Sequence, residues 1–333
     1  MFFSFFWLIL LEIYEMEFLK KINSKAKQDT DSGFGTNASN YGGRFFTKNG
    51  NANVKKVGVG FVESISWFHT MLSIPRWKFL FIILLFYFVV NLFFASLYYL
   101  IGVEHLNGIS AENDLEKFAQ AFFFSIQTYT TVGYGHINPT GFYASFVSSI
   151  EALIGLLTFA IATGLFFGRF SKPEAFIRFS QNALIAPYEN GIALMVRMAP
   201  YKNTNLSEAE ARITLGLSLE ENDKLVNKFY QLDLEMEKIN SLTLSWTLVH
   251  PITKESPLYG FSKNDFETID GEIIVFLKVF DDMYSNHVMK RTSFTFKEII
   301  YGAKFNLMYD RNTDDTKTIL YLDKLNSYEK VVL

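Results

Sequence analysis

The sequence predicts an α+β membrane protein in which two spanning helices flank a re-entrant segment and a β-sandwich follows. Three observations predict it. Two long apolar runs, Trp77–Ile101 and Tyr143–Gly168, carry almost no charge. Between them a shorter apolar stretch, about Phe118–Thr128, cannot cross a bilayer, which takes about 20 residues. Beyond about residue 180, short apolar alternations recur between Pro and Gly turn signals, the pattern of many short strands.

Composition narrows the function. The net charge of -3 gives no reason to expect a nucleic-acid partner. The absence of cysteine excludes a disulfide framework, a thiolate metal site and a cysteine nucleophile. No phosphate loop, nucleophile elbow or metal-ligand spacing occurs, so neither an enzyme nor a bound cofactor is expected. The histidines are scattered, and His69, His250 and His287 read as structural. Most of the 36 Phe fall before about residue 180, in runs whose natural solvent is a bilayer.

Residues 1–11 are apolar but too few to span, and they lack a clear basic segment and cleavage site. They read as an interfacial segment or an upstream start. Residues 22–53 are rich in Ser, Gly, Asn, Asp and Lys and predict a mobile polar tail, so a disordered N-terminal region is expected over 1–60. Residues 61–76 predict a helix on the membrane surface: Phe61, Ile65, Phe68 and Leu72 share one face, and Pro75 ends the pattern.

The two-helix pore domain is expected over 77–172. Its first span holds Lys78 at the start, Asn91 in the middle, and Trp77, Tyr98 and Tyr99 as interfacial aromatics. The second has Glu151 as its only charge and would reach roughly 39 Å as a helix. That exceeds a hydrocarbon core of about 30 Å, so it tilts or projects. Between the spans, Lys117 is the only basic residue, whereas Lys55, Lys56, Arg76 and Lys78 precede them and Arg169, Lys172 and Arg178 follow. The positive-inside rule then puts both termini in the cytoplasm, in the inner (plasma) membrane. The remaining residues, 173–333, form the β domain.

The chemistry lies in Thr130-Thr131-Val132-Gly133-Tyr134-Gly135, directly after the short helix. This sequence resembles the potassium-channel selectivity filter. Its physics is plain. A K+ ion in a narrow pore must exchange its water shell for oxygens that all point inward. An ordinary strand alternates its carbonyls, and Gly133 and Gly135 permit the positive φ that breaks the alternation. Carbonyls of Thr131, Val132, Gly133 and Tyr134, with the Thr131 hydroxyl, would hold the ion. Val132 and Tyr134 would point away and brace the loop. One chain supplies one wall, so four copies are needed. The preceding helix would aim its partly negative C-terminal end at the cavity.

With these motifs the chain resembles the inward-rectifier potassium channels, and within them the bacterial KirBac-type branch. The resemblance runs from about Lys48 to Leu322. It is carried by KNGNANVKKVG, AFFFSIQTYTTVGYG, IEALIGLLTFAIATGLFFGRFSKP, SWTLVHPITKESPLYG and RTSFTFKEIIYGAKF. It implies a homotetramer whose cytoplasmic domain is immunoglobulin-like. Phe167 matches the aromatic that narrows the inner bundle, with a lipid-facing Phe as the alternative. Gly155 matches a proposed hinge, with close helix packing as the alternative. Phe159 stands where strong rectifiers carry an acid, which implies weak polyamine block. Glu208 and Asp282 match acids that line the cytoplasmic pore, with solvated surface carboxylates as the alternative, and residues 281–288 match its constricting loop. Glu151 would either attract cations or brace the filter. Lys55, Lys56, Arg169, Lys172 and Arg178 match positions for anionic lipid heads, possible phosphoinositides among them, with simple topology-setting charge as the alternative.

Two departures stand out. The family's glutamate–arginine brace behind the filter is replaced by Gln127 and Ile137, and His136 follows the filter. Facing the outer mouth, a His136 charged below a pH of about 6.5 would repel cations. Two other function classes remain at this level: a membrane-anchored sensor with a vestigial pore, and a poorly selective cation channel.

Overall fold

The computed structural model describes residues 44–60, 63, 66–221, 224–311 and 317–333. The chain forms two compact units, one from Lys56 to Lys172 and the other from Pro173 to Leu333 together with the residues up to Lys55.

The first unit is helical. Helix α1 spans Trp67–Ser73; Phe61 and Ile65 of the expected surface helix lie outside the described residues. Helix α2, Arg76–Ile101, follows Pro75 and stops at Gly102, whose φ of +111° suits glycine alone. It buries Asn91, Phe94, Ala95 and Tyr98, a stripe at helical spacing. Its other faces expose Phe81, Leu84, Phe88 and Val89, as a helix bathed in lipid would. Helix α3, Asp114–Tyr129, begins four residues before its apolar run because its polar first turn is capped. The Asn113 side chain accepts from the Glu116 amide at 2.9 Å, and the Glu116 carboxylate accepts from the Glu112 amide at 2.9 Å. Helix α4, Gly141–Phe170, has 30 residues and is roughly 45 Å long. Helices α2 and α4 are both long and apolar enough to cross a membrane. A two-residue ladder, β1 (Leu106–Asn107) on β2 (Asn138–Pro139), ties together the ends of the segment between them.

The second unit is an immunoglobulin-like β-sandwich. One sheet runs β11 (Asn286–Thr295), β10 (Gly271–Asp281), β6 (Leu206–Glu221), β7 (Lys224–Leu232), with β8 (Lys238–Ser241) also on β6. The other runs β12 (Ile299–Tyr301), β4 (Ala183–Tyr188), β5 (Gly191–Pro200), β3 (Ile177–Phe179), with β9 (Trp246–Pro251) also on β5. Alternate side chains meet between them: Ala211, Ile213 and Leu215 of β6, Ile273, Val275 and Leu277 of β10, and Leu194, Val196 and Met198 of β5. Trp246 and Leu248 of β9 complete this core.

The expectation of a mobile tail is corrected for its described end. Phe45 and Phe46 are 2% and 6% exposed, packed on Phe229 and Ile274 at the outer face of the first sheet. Their backbone amides donate to the buried Glu272 carboxylate at 2.5 and 3.0 Å. Arg44 donates to the Ser293 carbonyl at 2.6 Å and pairs with Glu298 at 3.2 Å. Lys48 pairs with Glu298 at 3.4 Å and lies over the Phe294 ring. The segment is polar in composition, but two adjacent Phe and one buried acceptor dock it.

Candidate functional site

The segment Thr130–Gly135 leaves α3 through a turn that its own backbone fixes. The Thr131 amide donates to the Thr128 carbonyl at 3.1 Å, and the amides of Val132 and Gly133 donate to the Gln127 carbonyl at 3.0 and 3.2 Å. Three successive N–H groups therefore turn toward the helix end, so the opposite side of the chain is left to carbonyls. Positive φ recurs at every second residue: Thr131 at +59°, Gly133 at +51° and Gly135 at +81°. Val132 and Tyr134, between them, are not in that range. Alternating handedness of this kind prevents the side-to-side alternation of a strand. Sequence reasoning reached the two glycines and missed Thr131, a residue type that seldom adopts this conformation. At Gly133 and Gly135 a Cβ would meet open space in this chain, so the demand for glycine there is conformational.

The two threonines differ. Thr130 spends its hydroxyl on the Ile126 carbonyl at 2.7 Å. Among the described residues the Thr131 hydroxyl has no such partner, which leaves it for another oxygen-seeking group. Tyr134 is 79% exposed, so its own chain does not brace it. His136 is exposed, and its carbonyl lies so close under Gly108 that a Cβ there would collide with it.

On α4, packed against α3, Glu151 is 0% exposed. Its carboxylate accepts from the Tyr98 hydroxyl at 2.6 Å and from the Ser125 hydroxyl at 2.5 Å. Ser125 is also 3.2 Å from both oxygens of Asn91, whose amide donates to the Tyr87 carbonyl at 2.7 Å. Glu151 thus joins α2, α3 and α4 from within. Gly155, one turn on, is buried, and a Cβ there would fall on the Tyr129 carbonyl at the end of α3. Close approach explains this glycine without a hinge.

Phe167 is 73% exposed and takes no part in the packing of its helix. That packing is done by Phe166, edge-on to Phe79 at 5.1 Å, and by Arg169. Arg169 donates to the carbonyls of Met71 and Ile74 at 3.0 and 2.6 Å and covers the Phe79 ring. It caps α1 and fastens it to α4, so it differs from the other basic residues with which the sequence grouped it. Lys55, Lys56, Lys172 and Arg178 are exposed, the last over the Tyr201 ring. Phe159 is exposed on α4.

Glu208 and Asp282 come together at one end of the first sheet. Glu208 has φ +48° at a bulge, where β6 places two residues opposite Val279. Both carboxylates are exposed, and Asp282 accepts from Ser207 at 2.8 Å. The hairpin from Asp281 to Val288 turns through Ser285 at φ +48° and exposes Met283. His250 is structural, as read: burial holds it below the ordinary histidine value, with the Asp233 carbonyl at 2.6 Å and the Ser256 hydroxyl at 2.8 Å on its two nitrogens. Among the described residues no cluster of His, Asp and Glu could hold a metal ion by side chains.

Comparison with known proteins agrees with this geometry. A family model described as "Ion channel" matches residues 79–172, and one described as "Inward rectifier potassium channel C-terminal domain" matches residues 177–332. The inward rectifier potassium channel Kirbac3.1 of Paramagnetospirillum magnetotacticum is 30% identical over 267 residues, covering 79% of this chain and 88% of that protein. The inward rectifier potassium channel irk-1 of Caenorhabditis elegans is 26% identical over 79% of this chain and 52% of its own length. The ATP-sensitive inward rectifier potassium channel 12 of Gallus gallus is 27% identical over 79% of this chain and 66% of its own length.

Proposed function

The chain belongs to the inward rectifier potassium channel family, and on that premise we propose that four copies form a K+-selective pore lined by the carbonyls of Thr131, Val132, Gly133 and Tyr134. The observation that carries this reading is the left-handed backbone at Thr131, Gly133 and Gly135, held by amides donated to Gln127 and Thr128. Oxygens fixed in this way replace water around the ion without being reorganised at each passage. The Thr131 hydroxyl adds the innermost oxygen. Bracing of Val132 and Tyr134 falls to neighbouring copies in the homotetramer.

Both termini are cytoplasmic in this proposal, in a plasma (inner) membrane. The Phe167 side chains meet on the axis and close the pore by dewetting. The acids Glu208 and Asp282 concentrate cations at the cytoplasmic end. Phe159, with no charge, leaves polyamine block weak. Lys55, Lys56, Lys172 and Arg178 meet anionic lipid heads, phosphoinositides included, and so tune opening.

The test is uptake of radioactive rubidium into proteoliposomes. The proposal expects uptake that barium blocks and a large excess of sodium leaves intact. A purified protein that gives no flux, or flux that sodium abolishes, would refute K+ selectivity. A monomer or dimer on sizing would refute the fourfold pore. Adding anionic lipid to neutral vesicles must change the flux, and charge-reversing Lys55 and Lys56 must blunt that change.

A further inference from the structure

We propose that Glu151, Tyr98, Ser125 and Asn91 form a buried brace that holds the pore helix in register and thereby sets K+ selectivity. The proposal rests on the channel reading above and deepens it. It assigns positioning residues in place of the glutamate–arginine pair that this sequence lacks at Gln127 and Ile137.

Asn91, Ser125 and Glu151 are fully buried and come from three different helices. Tyr98 is fully buried as well and shares the α2 stripe with Asn91, seven residues away. Glu151 takes both of its acceptor oxygens into this cluster. Among the described residues no basic side chain faces it: α2 and α4 carry theirs at their ends, and Lys117 of α3 pairs with Asp114 at 3.1 Å. An acid so placed lines no open surface of this chain, and both of its oxygens are held by hydroxyls.

The brace bears on the filter through α3. Ser125 lies two residues before Gln127 and three before Thr128, whose carbonyls hold the filter amides. Glu151 and Gly155 share one face of α4: the first grips α3 by hydrogen bonds, the second lets the Tyr129 backbone touch α4. A displacement of α3 would move both carbonyls that fix the left-handed turn at Thr131. The donor count adds a constraint. Ser125 has one hydroxyl hydrogen but faces three oxygens, on Glu151 and Asn91. A glutamine at 151 keeps an acceptor and adds donors, so the cluster tolerates an amide. A leucine of similar volume leaves the Tyr98 hydroxyl buried without its acceptor and Ser125 with Asn91 alone, which is costly in an apolar span.

The experiment compares Glu151→Gln, Glu151→Leu, Tyr98→Phe and Ser125→Ala in full-length protein reconstituted in liposomes. The readout is the sodium concentration that halves rubidium uptake, taken only from material that elutes as the wild-type oligomer. Glu151→Leu is expected to lower that concentration about tenfold or more, as leaving a buried hydroxyl without its acceptor would. Tyr98→Phe and Ser125→Ala are expected to lower it less, and each adds little once Glu151→Leu is present. Glu151→Gln restores it to within about twofold of wild type. Should Glu151→Leu fail to assemble, Tyr98→Phe removes a single oxygen and carries the test alone. Unchanged sodium sensitivity in assembled Tyr98→Phe and Ser125→Ala overturns the brace. So does a Glu151→Gln protein as impaired as Glu151→Leu, since that marks charge as the cause. Failure of wild type itself to select against sodium would instead refute the channel reading.

Discussion

Replacing Gly155 by alanine separates two roles that this glycine could have. The built Cβ lies 2.8 Å from the Tyr129 carbonyl carbon and closer still to its oxygen. Ordinary contacts between carbon atoms are about 3.5–4.0 Å, so α3 and α4 must part by about 1 Å. The obstacle is backbone at a helix end and cannot swing aside as a side chain would. Overpacking of this kind costs about 1–3 kcal/mol. Alanine returns up to about 1 kcal/mol through helix propensity. The net expectation is a loss of about 1–2 kcal/mol, centred on the residue that immediately precedes the filter. Packing therefore predicts that Gly155→Ala lowers thermal stability in detergent and weakens discrimination against sodium in the rubidium assay. A hinge predicts instead an altered open probability with selectivity and stability untouched. Observation of that second pattern would refute the packing argument.

Three further outcomes follow from the β-sandwich. Glu272→Ala removes the buried carboxylate that accepts from the amides of Phe45 and Phe46, each such hydrogen bond to a charged group being worth about 1.5–3 kcal/mol. Hydrogen exchange at those two amides is expected to rise by orders of magnitude, and unchanged protection would sink the docking role of Glu272. His250 is buried and held below its ordinary value. The unfolded chain thus binds that proton more readily than the folded one. Its stabilisation is complete above a pH of about 6.5 and fades as pH falls through the depressed folded value. Thermal melts between pH 7 and pH 5 should steepen in wild type and flatten in His250→Gln; parallel curves contradict the assignment. Arg197 is buried with its Nη1 unpaired among the described residues, stacked on Phe305 at 4.2 Å. Burial pulls it down to about 10, which leaves it charged at neutral pH. Arg197→Met should stabilise the protein by about 1–2 kcal/mol. A marked destabilisation would mean that a carboxylate partner reaches it from elsewhere.

The strands were legible because alternation on a two-layer sheet is a local property: Ile273, Val275 and Leu277 face one core, and the sequence says so without help. The filter glycines were legible for a similar reason, since positive φ at Gly133 and Gly135 needs only the residue type. Thr131 was not, because its left-handed backbone is imposed by α3 carbonyls rather than chosen by threonine. Docking of residues 44–53 escaped notice because window composition averages Phe45 and Phe46 with their polar neighbours. The acceptor that fixes them, Glu272, lies more than two hundred positions away. Arg169 likewise read as a lipid-facing charge, since no local pattern reveals that two carbonyls of α1 await it.

Inside the spans the usual sequence signal reverses. On a helix in water, apolar residues mark the buried face; on a helix in lipid nearly every residue is apolar, and small or polar residues mark it instead. Helix α2 shows this stripe as Asn91, Ala95 and Tyr98, and α4 shows it as Ala144, Glu151 and Gly155. Both stripes run in steps of four, three and seven, but other small and polar residues, Ser96 on α2 and Ser145, Ser148, Ser149, Thr158 and Thr163 on α4, lie off them, so the sequence alone does not single the stripes out. What the sequence does not state is that they converge on one residue of a third helix. Ser125 is that residue, and a serine inside a short apolar run has no periodicity to announce it. The physical requirement does announce it. A carboxylate buried in a span needs donors, and α3 is the remaining helix between α2 and α4 able to supply one. Glu151 therefore fixes where α3 must lie before any packing is considered, and the filter, which starts where α3 ends, inherits that position.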